Sequence, residues 1–243
     1  MSKGIFALGD SFTWGEGLYF YSDLDNLPFN HEHTFDFNSI TEGMAAYKNK
    51  YRWLNLVCSE LDTWSVSKLL NGSMNGLNIR FLSELLENNG FLDLRKGTFV
   101  NNDIWKNYQF NINLSDFDTL IFQFSSISRD EESITSLLEE LDILLTKVEN
   151  EYNIKVYTFV WMVENYENPI YQTKYMHRHV PIYFNNDKYN YFEPLVNEDS
   201  FNLTIKSDFA QKNLQINDMH FNHNGNRVIA NSIIKKIKED KNE

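Results

Sequence analysis

Three residue types that together can run nucleophilic catalysis stand near opposite ends of this chain. Near the start, Ile5-Phe6-Ala7-Leu8-Gly9-Asp10-Ser11 is an apolar run that closes on Gly-Asp-Ser, and the glycine-spaced Phe12-Thr13-Trp14-Gly15-Glu16-Gly17 follows at once. Near the other end, Asn217-Asp218-Met219-His220-Phe221-Asn222-His223-Asn224-Gly225-Asn226 offers a carboxylate and an imidazole ahead of an apolar helical pattern. A serine hydroxyl is a weak nucleophile at neutral pH. It needs a base to take its proton and a third group to orient that base. Ser11 is the candidate nucleophile, His220 or His223 the base, and Asp218 or Asn217 the orienting group. A serine after a strand also serves as a helix cap, and Asn222 has that role open to it as well.

Such side chains need elements to hold them. Gly4 to Leu8 reads as a strand buried on both faces. Trp53, Leu54, Leu56, Val57 and Leu61 recur at helical spacing, and Trp64 to Ser67 is a short second strand. Gly72-Ser73 turns the chain into a helix carrying Leu77, Ile79, Phe81, Leu82, Leu85 and Leu86, stopped by Asn89-Gly90. Gly97 to Val100 and Tyr108 to Leu114 are weaker strand or loop readings. Asp118 to Phe124 is the strongest strand, followed by a helix over Ser133 to Asn150 with leucines on one stripe. Ile154 to Met162 is another buried strand, and Asn222 to Lys238 is the last helix. This alternation, with crossovers of helical length, predicts a three-layer α/β fold around a central parallel sheet. Sites in such sheets form beyond the carboxyl ends of the strands, where Ser11, Gly72 and Ser125 all fall.

The ordered segments resemble the SGNH/GDSL hydrolase family. Gly9-Asp10-Ser11 matches its first block, and Asp218 and His220 with Asn222 and Gly225 match its last. Trp53-Leu54-Asn55-Leu56-Val57 followed by Asn71-Gly72-Ser73-Met74-Asn75 is similar to its second. The resemblance implies a flavodoxin-like sheet, His220 as the base before Phe221-Asn222, and an oxyanion hole with the Ser11 and Gly72 amides. It implies ester hydrolysis through an acyl-serine intermediate, with no metal or organic cofactor. Acylated carbohydrate is the first expectation for the substrate, and short-chain lipid esters the next. Two departures stand out. The third block, usually Gly-x-Asn-Asp, is replaced by Ser125-Ser126-Ile127-Ser128-Arg129-Asp130, so Asn75 becomes the candidate side-chain donor to the oxyanion. In the last block Asn217 holds the position usual for the aspartate, and Asp218 lies two residues before His220. Trp14 lies close enough in sequence to Ser11 to contact substrate. Arg129 either clamps an anionic group on it or pairs with Asp130, Glu131 or Glu132. The rival readings are an acyltransferase on the same fold, in which water exclusion decides the acceptor, and a binding or structural module with a degenerate site.

Composition bounds the rest. The 243 residues suffice for a single domain over residues 1–243, with loop-rich insertions at about 19–50 and 163–215. A hydrophobic fraction of 42% with 15% aromatic residues argues against disorder. The net charge of −12 argues against a nucleic-acid partner, and Lys235-Lys236-Ile237-Lys238 reads as complementing the end of the last helix. Cys58 is the only cysteine, so no intrachain disulfide forms, and its setting is that of a small core residue. His31-Glu32-His33 and His177-Arg178-His179 have a spacing that can ligate a metal, but both fall in loop-like sequence without further ligands, so no metal is expected. Gly9, Gly15 and Gly17 do not complete a dinucleotide fingerprint. No apolar run is long enough for a membrane span, and no leader pattern is seen, so the expected location is cytoplasmic.

Overall fold

The computed structural model describes residues 3–10, 13, 18, 42–69, 75–93, 111–125, 134–197, 203–204 and 220–241. From the N-terminus these form β1 (Gly4–Gly9), α1 (Glu42–Tyr51), α2 (Trp53–Leu61), β2 (Ser65–Leu69) and α3 (Asn75–Glu87). Next come β3 (Phe91–Asp93), β4 (Asn111–Asn113), β5 (Phe117–Phe124), α4 (Ile134–Tyr152) and β6 (Lys155–Val160). The last are α5 (Val163–Tyr166), β7 (Ile182–Phe184), β8 (Asp187–Tyr189), α6 (Glu193–Asn197) and α7 (His223–Asp240). The chain divides into two compact units, Met1–Asp10 with Thr63–His179, and Ser11–Asp62 with Val180–Glu243.

The first unit is built on a four-stranded parallel sheet in the order β2-β1-β5-β6. Every residue of β1 is buried, and in β5 only Asp118 is exposed. Strands covered on both faces must read as nearly unbroken apolar runs, and Ile5-Phe6-Ala7-Leu8 and Leu120-Ile121-Phe122 do so. Each isoleucine, leucine and phenylalanine among them contributes roughly 1.5–3 kcal/mol by burial. Parallel neighbours require crossovers, and α3 and α4 supply them, packing on each other and on β1 and β6 respectively. The stripe of Leu137, Leu138, Leu141, Leu144, Leu145 and Val148 on α4 faces inward. The result is an α/β fold with a central parallel sheet and helices around it, as expected. Numbered within the sheet, the strand order is 2-1-3-4, that of flavodoxin-like folds up to their fourth strand.

Beyond β6 a single parallel bridge, Thr158 with His179, stands where a fifth strand would lie, and the Thr158 amide donates to the Arg178 carbonyl at 2.8 Å. The segment after β6 differs from its irregular reading. It carries α5, a π-helical turn over Tyr171–Tyr175, and a β7–β8 hairpin whose turn residues Asn185 and Asn186 both have positive φ, as a two-residue turn requires. Tyr171 and Tyr175 are fully buried and the Tyr175 hydroxyl donates to the Leu138 carbonyl on α4. Burial raises the pKa of both phenols. Arg178 is buried against α4, donating to Asp142 at 2.7 Å, to both oxygens of Glu149 at 3.1 and 2.7 Å, and to Thr146 at 2.9 Å. The short antiparallel pair β3–β4 includes part of the weak 108–114 reading, whereas 97–100 lies outside the described residues.

In the second unit α2 packs along α7, α1 on both, and β7 on α7. Leu54, Val57 and Cys58 are buried on α2, and Ile229, Ile233 and Ile237 on α7. Helix α1 occupies the end of the stretch read as a loop over 19–50; residues 19–41 lie outside the described residues. Among the described residues no helix is long and apolar enough to cross a membrane.

Candidate active site

In the central sheet the chain runs from β1 to β2 on one side and then to β5 on the other. The crevice at such a reversal, beyond the carboxyl ends of β1 and β5, is where open α/β sheets place their ligands. Asp10 follows β1 directly and is buried. Its Oδ1 accepts a hydrogen bond from Gln123 Nε2 on β5 at 2.7 Å, and Gln123 is itself fully buried. A carboxylate taken out of water holds its charge only if donors hold it, and this amide is one.

A second set of amides fixes the end of β5. Asn75, the first residue of α3, accepts from the Ser125 amide through Oδ1 at 2.9 Å and donates from Nδ2 to the Ser125 carbonyl at 3.1 Å. Asn165 on α5 donates to the same carbonyl at 2.8 Å. Asn78, one turn into α3, donates to the Gly9 carbonyl at 3.4 Å. Where a strand leaves its ladder its backbone groups lose their partners, and these side chains replace them. Two oxygens, Asn78 Oδ1 and Asn165 Oδ1, are buried without a hydrogen-bond partner. Each costs about 1–3 kcal/mol. Such costs are typically retained near functional sites rather than in plain core.

His220 is half-buried, in a bend ahead of α7. The next residue, Phe221, bridges antiparallel to Thr204 and sets its ring 4.2 Å from that of Phe192. Asn222 caps α7, its Oδ1 accepting from the Asn224 and Gly225 amides at 2.9 and 3.0 Å, as its sequence position predicts. Its own amide donates to the Leu203 carbonyl at 3.0 Å. Gly225 allows this close approach: a Cβ there would lie 2.4 Å from the Leu203 carbonyl oxygen. Asn226 Nδ2 donates to the carbonyls of Phe221 and Asn222, and its Oδ1 accepts from the Trp53 amide at 2.9 Å. That bond caps α2, whose N-cap residue Arg52 makes no capping side-chain bond. His223 begins α7 with its ring 6.1 Å from that of Tyr51 on α1. Also on α1, Lys48 is buried, and desolvation, with the charge of Arg52 second, lowers its pKa to about 7.

Of the residues singled out in the sequence, Asn75, Ser125, His220, Asn222, His223 and Gly225 are thus described. Ser11, Trp14, Gly72, Arg129, Asn217 and Asp218 lie outside the described residues, as do His31 and His33. In the other histidine pair His177 is exposed and His179 buried, with Nδ1 2.8 Å from the Tyr171 hydroxyl, so the two do not face one site. The sequence reading missed Gln123, Asn165 and Asn226. Gln123 had a signal, an amide in the penultimate position of an otherwise apolar strand end.

No protein-family model matches the chain, and no curated protein matches it. Among solved structures, the crystal structure of the psychrotrophic esterase EstA from Pseudoalteromonas sp., inhibited by monoethylphosphonate, is similar over 100% of both chains, with a TM-score of 0.52 and 12% identity. At that identity the likeness is one of fold.

Proposed function

We propose that this protein hydrolyses carboxylic esters through an acyl-serine intermediate, with Ser11 as nucleophile and His220 as base. The observation that carries the reading is Asp10, buried and held by Gln123 at the carboxyl end of β1, with Ser11 the next residue along the chain. The likeness of fold to an esterase supports it. Ser11 Oγ attacks the acyl carbon while its proton passes to His220. The oxyanion that forms takes hydrogen bonds from the Ser11 and Gly72 amides, with Asn75 the side-chain candidate. Collapse expels the alcohol, which takes the proton back from the imidazolium. Water then repeats the sequence and frees the acid. Asp218, or Asn217 in its place, orients the imidazole. Trp14 walls the acyl or sugar group, and Arg129 meets any anionic substituent. Acylated carbohydrates are the substrates to screen first, and short-chain lipid esters second.

The test is turnover of p-nitrophenyl acetate and of acetylated sugars by the wild type, Ser11→Ala and His220→Ala. Both variants should lose on the order of 10³-fold or more of kcat. Variants that turn over as fast as the wild type would remove both residues from the chemistry.

A further inference from the structure

We infer that Gln123 is a positioning residue for the nucleophile, acting through Asp10; this rests on Ser11 being the nucleophile, as proposed above. Gln123 lies in a strand whose flanking residues, Phe122 and Phe124, are buried and apolar. An amide buried at such a place is costly unless its groups are bonded, and a leucine or valine would serve the core better. Its Nε2 reaches one particular acceptor, Asp10 Oδ1 at 2.7 Å, across 113 residues of sequence. The backbone pairing of β1 with β5 runs from Gly4 with Phe117 to Leu8 with Phe122. Among the described residues, the Gln123–Asp10 bond continues the two strands' association past the end of their ladder, at the residue before Ser11.

The choice of donor matters. A lysine or arginine at position 123 would hold Asp10 by cancelling its charge. A glutamine fixes the carboxyl group and brings no charge of its own. A nucleophile must be held within about half an ångström of its productive position, and a displacement near 1 Å costs about 100-fold in rate. The bond from Gln123 confers that restraint on Asp10, the residue before Ser11.

The experiment is fluorophosphonate labelling of the full chain, with maximal labelling rate and probe affinity determined separately. It compares wild type, Gln123→Leu, Gln123→Met, Asp10→Asn and the double variant Asp10→Asn/Gln123→Leu. Gln123→Met keeps the side-chain length and fills the same space, so it reports on the lost donor if the leucine variant folds poorly. Circular dichroism and thermal melting establish which variants are folded. The expected result is a maximal labelling rate lowered about 10–100-fold in Gln123→Leu and Gln123→Met, with probe affinity within about 3-fold of wild type. In the Asp10→Asn background the same change at position 123 should cost less than about 3-fold, because residues that act through one another are non-additive. A purely structural role would lower the melting temperature and leave the labelling rate of folded protein unchanged. That outcome, or additive losses in the double variant, overturns the assignment while the hydrolase reading stands. A folded wild type that takes no label at Ser11 overturns the hydrolase reading and this assignment together.

Discussion

At the scale of single residues, asparagines do much of the positioning. Asn222 caps α7 and fixes the segment that follows His220, and replacing it with alanine should cost about 1 kcal/mol, read by urea unfolding. Gly225→Ala should cost more, about 1–3 kcal/mol by melting temperature, because the added Cβ would meet a backbone oxygen 2.4 Å away that has no rotamer to yield. The cap was legible in the sequence, since an asparagine stands directly before an apolar helical pattern. The role of Asn226 was not. Its partner, the Trp53 amide, is 173 residues away, and no local pattern encodes a contact over that distance. Lys48 sets a pH dependence. Its folded pKa, about 7, lies below the ordinary 10.5, so between those values the unfolded chain binds more protons and stability rises with pH. Lys48→Met removes this contribution. Unfolding curves at about pH 6 and about pH 9 should show the variant's advantage over wild type shrinking as pH rises, by up to about 1.4 kcal/mol per pH unit above the folded pKa. A difference independent of pH would show that Lys48 stays protonated when folded across that range.

At the scale of elements, legibility followed the kind of burial. β1, β5, β6, α3, α4 and α7 are buried through aliphatic side chains and phenylalanines, whose runs and stripes are visible in the letters alone. The chain from Val163 to His179 also forms regular turns packed on α4, but it is buried through tyrosines and a clustered arginine, and so reads as polar and irregular. Tyr171 and Tyr175 enter the core with their hydroxyls bonded, and Arg178 is tied to Asp142, Glu149 and Thr146 on α4. Removing that guanidinium takes away the cation shared by Glu149 and Asp142 and leaves Asp142 with Lys174 at 3.3 Å. A fully buried pair broken this way loses about 3–5 kcal/mol; here both acids keep partial access to water, so Arg178→Met should cost about 2 kcal/mol, measured by chemical denaturation. A loss well under that value would mean that the tyrosines alone hold the segment to α4.

At the scale of the whole molecule, the fold and the chemistry were legible to different degrees. The alternation of apolar strands and amphipathic helices specified an α/β sheet, and the strand order 2-1-3-4 agrees. Gly-Asp-Ser pointed to the end of β1, where Asp10 is buried against β5. What ties Asp10 to Gln123, and Ser125 to Asn75 and Asn165, depends on which strand ends meet, and that follows only from topology. The function proposed above requires that these supports serve an activated Ser11. Intact-mass analysis after fluorophosphonate treatment tests it most directly, on wild type, Ser11→Ala and His220→Ala. One adduct is expected on the wild type, mapped by peptide mass to Ser11, and none on either variant. Folded wild-type protein that stays unmodified at high probe concentration, or an adduct that persists in Ser11→Ala, would contradict it.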